Sequence, residues 1–176
     1  RPHFDEATSP LRPEYVVGAL QSVLPDAAIL TLDSGVHHNW FMQFWRPRRA
    51  QSMLNSWGFS SMGFGVCSVL GAQLAAPERP CVSVCGDGGF TMTPYVLCTA
   101  VEYGLPCVWV VWNNFAWGAI RDLQYGLFDG REHGTAFYRG QDRTMPYNPD
   151  FAAWARACGA DGVTVTRSED LRGALE

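Results

Sequence analysis

Apolar positions recur along this chain with two periods, one helical and one extended, and they alternate from end to end. Tyr15, Val16, Ala19, Leu20 and Val23 recur at helical spacing between Pro13, which opens a helix, and Pro25, which stops it. AAILTLD (27–33) reads as a buried strand ending in Asp33, HHNWFMQFW (37–45) as a short aromatic helix, and AQSMLNSWG (50–58) as a second short strand and loop. MGFGVCSVLGAQLAA (62–76) has helical spacing but many small residues, as expected where a helix lies close against a sheet or a ligand. PCVSVCGD (80–87) is the next strand. Thr93 and Pro94 suit N-cap and N1, and Gly104 suits a C-terminal stop, so 94–103 is expected to be helical. PCVWVVWN (106–113) is a continuous apolar run, the pattern of a strand covered on both faces of a parallel sheet. AWGAIRDLQYG (116–126) reads as a shorter helix. Residues 126–148 hold Gly126, Gly130, Gly134, Gly140 and Pro146 with no period, which predicts a lid or a disordered loop. PDFAAWARACG (149–159) is an amphipathic helix, GVTV (162–165) a strand and 168–176 a final helix. The alternation predicts an α/β fold: an open parallel sheet of about five to six strands with helices on both faces.

Composition narrows the function classes. Of 176 residues, 47% are apolar and 17% charged, the balance of one globular domain with a sizeable core. A net charge of -4 and the lack of a long basic run argue against a nucleic-acid partner. The short cluster Arg46, Arg48, Arg49 is broken by Pro47 and reads as a solvated face. No stretch resembles a signal peptide or a membrane span, so a soluble chain without a membrane partner is expected. The six cysteines form no CxxC pair, and Cys81 and Cys85 share a strand face too far apart for one disulfide. Reduced thiols in a cytoplasmic location, without a zinc site, are the expectation. The chain starts at Arg1 and stops at Glu176 inside SEDLRGALE, which is expected of part of a longer polypeptide. Residues 1–11, with Pro2 and Pro10, read as a linker or domain entry and 12–176 as the domain.

The candidate chemistry lies where the predicted strands end. Asp33-Ser34-Gly35, Gly86-Asp87-Gly88 and Asn113-Asn114 each close a strand, and ligands of open α/β sheets bind at those ends. Asp87 offers an anionic oxygen and Asn114 an amide oxygen, a hard donor pair suited to Mg²⁺ with a shared phosphate. Gly86, Gly88 and Gly89 would let backbone amides approach a diphosphate. A Gly-Asp-Gly alone is often a plain turn. Here 24 residues, one helix and one buried strand, separate Gly88 from Asn113. No G-x-G-x-x-G follows the first strand, which argues against a nucleotide-binding protein on the same architecture.

Gly86-Asp87-Gly88, 24 residues, then Asn113-Asn114 resembles the diphosphate motif of thiamine diphosphate-dependent enzymes. Together with LDSGVHHNW, SSMGFGVCSVLGAQLAAPERPCVSVCGDGGF and NNFAWGAIR, it is similar to the C-terminal, diphosphate-binding domain of the acetolactate synthase-like decarboxylase and carboligase group, from about residue 12 to 176. The resemblance implies thiamine diphosphate and Mg²⁺ as cofactors. It implies Asp87, Asn114 and the Ala116 carbonyl as metal ligands, with Gly86, Gly88 and Gly89 on the diphosphate. Gly35, Val36, His37 and Ser60 would lie on one side of the cofactor and Gly118 and Ala119 on the other. Met62 would support its bent conformation. Helix capping by His37 and core filling by Met62 are the bland alternatives, and Asp33 could simply tie down the loop after the first strand. Trp40, Phe41 and Trp45 fit core or subunit packing better than a substrate pocket.

The implied activity is decarboxylation or ligation of small 2-oxo acids by a transferase or lyase. In this group a glutamate on a separate pyrimidine-binding domain activates the cofactor, commonly across a homodimer or tetramer interface. Glu6, Glu14, Glu78, Glu102, Glu132 and Glu169 do not match its context, so no catalytic residue is assigned in this chain, which is expected to be inactive alone. Val36 stands where acetolactate synthase has glutamine, and Leu123 where it has the tryptophan of its substrate pocket, so the acetolactate reaction itself is not implied. Two alternatives are a separate subunit of a split decarboxylase and a non-catalytic module that kept the fold. Arg131, Arg139 and Arg143 could close over an anionic substrate, or be solvated.

Overall fold

A computed structural model of the chain describes residues 8–175. Of the predicted entry segment 1–11, residues 1–7 lie outside the described residues, as does Glu176 of the predicted final helix. The elements run α1 (Pro13–Val23), β1 (Ile29–Leu32), α2 (Val36–Phe44), β2 (Met53–Asn55), α3 (Phe64–Ala75), β3 (Cys81–Gly86), α4 (Asp87–Phe90), α5 (Val96–Glu102), β4 (Val108–Trp112), α6 (Gly118–Leu127), β5 (Tyr138–Arg139), β6 (Asp142–Pro146), α7 (Phe151–Ala157) and α8 (Ser168–Leu175).

The central sheet has the order β2-β1-β3-β4, and every pair is parallel. Side chains alternate between its faces. Leu30, Leu32, Val82 and Val84 meet Val16, Val17, Leu20, Phe41 and Leu171 of α1, α2 and α8. On the other face, Ile29 and Cys81 pack with Val69 and Ala72 of α3, and Cys85 with Val66, Phe90 and Leu97. Helices therefore cover both faces of β1 and β3, whereas β4, expected to be buried on both faces, is an edge strand with no fully buried residue, because among the described residues no further strand pairs beyond it. Phe41 and Trp45 belong to this core.

Among the described residues the sheet has four strands, fewer than the five to six expected. GVTV alternates apolar and polar residues but takes no strand pairing. Residues 126–148 are more ordered than a loop, since β5 and β6 form an antiparallel hairpin. The helix expected at 94–103 begins at Val96, and Thr93 does not cap it, its Oγ1 being buried without a hydrogen-bond partner. Residues 93–95 instead lead in through turn bonds such as Val96 N to the Thr93 carbonyl.

Two contacts fix α3 against the sheet. A Cβ on Gly65 would lie 2.3 Å from the Asp33 nitrogen and 2.6 Å from the Leu32 carbonyl carbon, so only glycine lets the helix come this close. Thr31 and Ser83, on adjacent strands, both donate their hydroxyls to the Gly65 carbonyl, at 2.8 and 2.9 Å. Buried hydroxyls are thereby satisfied where an aliphatic pair would push the helix away.

Candidate functional site

The strand order reverses direction between β1 and β3, and the chemistry-bearing residues collect at the carboxyl ends of β1, β3 and β4 beside that point. At the end of β1, the Asp33 carboxylate accepts the Gly63 amide on Oδ2 and the Gly65 amide on Oδ1, each at 3.0 Å. Burial raises the Asp33 carboxyl above its usual range, and these backbone amides pull the other way. Asp33 ties the start of α3 to β1. Gly35 follows with a φ of +151°, and a Cβ there would stand 2.8 Å from His37 Cε1. His37, in the first turn of α2, is buried, and its Nε2 has no hydrogen-bond partner. Burial lowers the imidazole to about 4, against the opposing backbone of Asp33, so the ring is neutral at pH 7.

At the end of β3, Gly86-Asp87-Gly88-Gly89 does not form an open loop but passes directly into the one-turn helix α4. Asp87 is 1% exposed. Its Oδ1 accepts the Gly88 amide at 2.9 Å, while Oδ2 accepts the Ala116 amide at 3.3 Å and Asn148 Nδ2 at 2.6 Å. Burial raises this carboxyl too, opposed first by Asn148 and then by backbone amides. After β4 the chain turns sharply through Phe115, whose φ of 57° is left-handed although it carries a side chain. That turn brings the Ala116 amide within 3.2 Å of Asn114 Oδ1 as well, so one nitrogen holds the Asp87 and Asn114 oxygens beside each other.

These ends enclose a cavity of about 240 Å³. All the residues expected from the sequence line it: Gly35, Val36, His37, Ser60, Met62, Gly86, Asp87, Gly88, Gly89, Asn114, Ala116, Gly118 and Ala119. Ser34, Trp112, Trp117 and Ile120 line it too and were not expected. Trp117 lies over Gly88, where a Cβ would be 2.3 Å from its Cδ1 and 3.4 Å from Met62 Cε. Ser60 has a left-handed φ of 53°, and its hydroxyl meets that of Ser34 at 3.1 Å. Asn148 was also missed. It stands two residues past the end of β6 and precedes Pro149-Asp150, a turn and cap signature that could have marked it.

Two further features of the 126–148 segment emerge only in three dimensions. Glu132, its side chain 6% exposed, pairs with Arg143 and accepts the Thr135 and Ala136 amides on Oε2, at 3.0 and 3.2 Å. The strand so held docks on the turn after β4: Trp117 N donates to the Thr135 carbonyl and Phe137 N to the Phe115 carbonyl, at 2.9 and 2.8 Å. Arg143 also lies over the Tyr138 ring, and Arg131 Nε donates to the Phe128 carbonyl. Arg143 therefore serves the hairpin, and Arg131 the turn that closes α6.

The site's donors suit a diphosphate and a hard divalent cation. Oxygens dominate, and among the described residues no cluster of three His, Cys, Asp or Glu could hold a metal alone. A cation here would need ligands from elsewhere, which is the habit of Mg²⁺ with phosphates and water. Gly35 and Gly86 face the Cε1–Nδ1 edge of His37, and the space they clear on the cavity floor is what an anionic group could fill.

Residues 33–176 match the family model described as thiamine pyrophosphate enzyme, C-terminal TPP binding domain. The chain is 37% identical over 170 residues to a putative thiamine pyrophosphate-containing protein of Bacillus subtilis, covering 97% of this chain and 28% of that protein. It is 36% identical over 176 residues to the acetolactate synthase large subunit of Parasynechococcus marenigrum, covering 97% of this chain and 27% of that subunit. Among solved structures, a thiamine diphosphate-dependent 4-hydroxybenzoylformate decarboxylase of Rhodococcus jostii superposes with a TM-score of 0.83 at 26% identity, over 96% of this chain and 30% of the decarboxylase. The chain thus spans somewhat more than a quarter of the length of the relatives it matches.

Proposed function

The chain belongs to the thiamine pyrophosphate enzyme C-terminal TPP binding domain family, and from that premise we propose that its cavity holds the diphosphate of thiamine diphosphate through Mg²⁺. The observation that carries this reading is the shared Ala116 amide, which brings the Asp87 carboxylate, through its Oδ2, and the Asn114 side chain to one point on the cavity wall and leaves Asp87 Oδ1 the less occupied oxygen. Asp87, Asn114 Oδ1 and the Ala116 carbonyl are the proposed metal ligands. The backbone at Gly86, Gly88 and Gly89, with His37 and Ser60, would receive phosphate oxygens. Gly35, Val36, Gly118 and Ala119 would flank the cofactor, and Met62 would lie under it.

Bound there, thiamine diphosphate supplies a nucleophilic carbon and an electron sink for cleaving or forming the bond next to a carbonyl. The chain's own residues bind and orient it. Neutral His37 brings no positive charge, so the cation and the backbone amides would do most of the charge balancing. We place the chain in an enzyme, a lyase or transferase, acting on small 2-oxo acids. A pyrimidine-binding domain, on the same or another chain, would supply the activating glutamate that this sequence lacks, so the isolated chain is proposed to be inactive. Trp57, Phe59 and Tyr95 are exposed large aromatics, and such surface favours a homodimer or tetramer. All six cysteines are free thiols, in keeping with a cytoplasmic location. Among the described residues no helix is long and apolar enough to cross a membrane.

Carbon dioxide release from pyruvate and from aryl 2-oxo acids tests the reaction class. The full-length protein with thiamine diphosphate and Mg²⁺ is expected to turn over at least one of them and to stop when the cation is chelated. No release from any 2-oxo acid, with the cofactor demonstrably bound, would favour the non-catalytic module.

A further inference from the structure

We infer that Asn148 is a positioning residue for Asp87: its side-chain amide clasps the ends of β3 and β4 together and fixes which carboxylate oxygen is left for the cation. This rests on the reading of Asp87 as a metal ligand. An asparagine amide has two N–H donors. Asn148 uses both, one on Asp87 Oδ2 at 2.6 Å and one on Asn113 Oδ1 at 2.7 Å. The ionised carboxylate can only accept, so it is the nitrogen of Asn148 that faces it.

The two acceptors stand just beyond paired strands, Gly86 of β3 being in register with Trp112 of β4. Asn148 therefore bridges the strand ends where the ladder stops. The other two donors to Asp87 are main-chain amides, of Gly88 and Ala116. Among the described residues Asn148 supplies its only side-chain bond, the shortest of the three, and makes the two sides of the carboxylate unlike. Oδ2 takes two donors and Oδ1 one, so Oδ1 keeps the larger share of unused acceptor capacity. Without Asn148 each oxygen would have one amide donor, and rotation about the Cβ–Cγ bond would exchange near-equivalent states.

Asn148 also joins the site to the hairpin that precedes it. Tyr147 N donates to the Phe137 carbonyl, and Phe137 N to the Phe115 carbonyl in the turn after β4. Docking of residues 135–148 and orientation of Asp87 are thus parts of one hydrogen-bonded arrangement.

The test is calorimetric titration of Mg²⁺ into the full-length protein with a fixed excess of thiamine diphosphate, referenced to the same titration of the cofactor without protein. Hydrogen-bond partners of metal ligands typically contribute about 10- to 100-fold in metal affinity, and Asn148→Ala is expected to lose that much. The melting temperature of the metal-free protein should move by no more than a few degrees. Asn148→Gln, which keeps both donors, should recover part of the loss. Asn113→Ala removes the other anchor of the clasp and should cost severalfold. The double variant should be no worse than Asn148→Ala, because both changes break one unit. Should Asn148→Ala fail to fold, Asn113→Ala and Asn148→Gln carry the test. Mg²⁺ affinity within twofold of wild type in all three single variants, while Asp87→Ala abolishes binding, would overturn the positioning role and leave the metal site standing. Unchanged Mg²⁺ binding in Asp87→Ala would remove the metal site and the clasp with it.

Discussion

The two walls of the cavity are built by different means. One wall, from the ends of β1 and β3 with the start of α3, is core: Asp33, His37, Asp87 and Phe90 are all buried, and backbone amides hold the two carboxylates. The other wall, from the turn after β4 with α6 and the hairpin, is mostly surface. Gly118 is the one buried residue of α6, and every residue of β6 is exposed. Side-chain hydrogen bonds from Glu132, Gln124 and Asn148 hold that second wall in place of hydrophobic burial. A wall fastened to the sheet yields only when the fold yields. A wall fastened by a few polar contacts can loosen locally at a small fraction of the global unfolding free energy.

The comparison breaks hardest at Gly65. A Gly65→Val side chain would run into the backbone of Leu32 and Asp33, where nothing can move without parting α3 from β1. Overpacking of this kind costs about 1–3 kcal/mol in a core that can adjust. Against backbone the upper end or beyond is expected, read from the urea midpoint.

Titration of His37 sharpens the contrast next. Its imidazole takes a proton near 6.5 in the unfolded chain but only near 4 when folded, so between these values the unfolded state holds more protons. Stability should therefore be flat above about pH 6.5 and fall toward pH 4 by up to about 3 kcal/mol on this group's account. Asp33 and Asp87 work with the opposite sign. Their raised carboxyls hold protons in the folded state above the usual 3.8, and that contribution is lost as pH rises through their folded values. Urea unfolding at a series of pH values isolates the histidine: His37→Gln should lose the acid-side decline that the wild type shows. An equal decline in both proteins would place it elsewhere.

The smallest global effect is expected on the second wall. Glu132→Gln weakens the pairing with Arg143 and the acceptance of the Thr135 and Ala136 amides. Global stability should fall by about 1 kcal/mol or less, while amide exchange at Trp117 and Phe137 quickens at least tenfold and that of Val84 on β3 stays as it was. Equal acceleration at all three amides would show that the two walls open as one.

The sequence discloses the first wall far better than the second, for a physical reason. The buried strands β1 and β3 and the half-buried edge strand β4 leave continuous apolar runs, and their ends are marked where Asp33, Asp87 and Asn113 interrupt them. The expected lining residues, Asn114, Ala116, Gly118 and Ala119 of the second wall included, come from the resemblance to the thiamine diphosphate motif and not from these runs. The hairpin leaves no such trace, because its strands are short, exposed and paired chiefly with each other. Glu132 looks like any surface glutamate until Thr135, Ala136 and Arg143 gather round it, and Asn148 lies 61 residues from the carboxylate it holds. GVTV erred in the other direction, since local alternation cannot tell a strand from an extended segment without a neighbour. Thr93 likewise has the residue type of a cap but not its bond.

The account stands most directly on Asp87, and titration calorimetry of thiamine diphosphate into the full-length protein with and without Mg²⁺ reads it. The wild type should bind the cofactor tightly only with the cation present, and Asp87→Ala should lose at least a hundredfold in affinity while still folding. Undiminished, Mg²⁺-dependent binding in Asp87→Ala would contradict it.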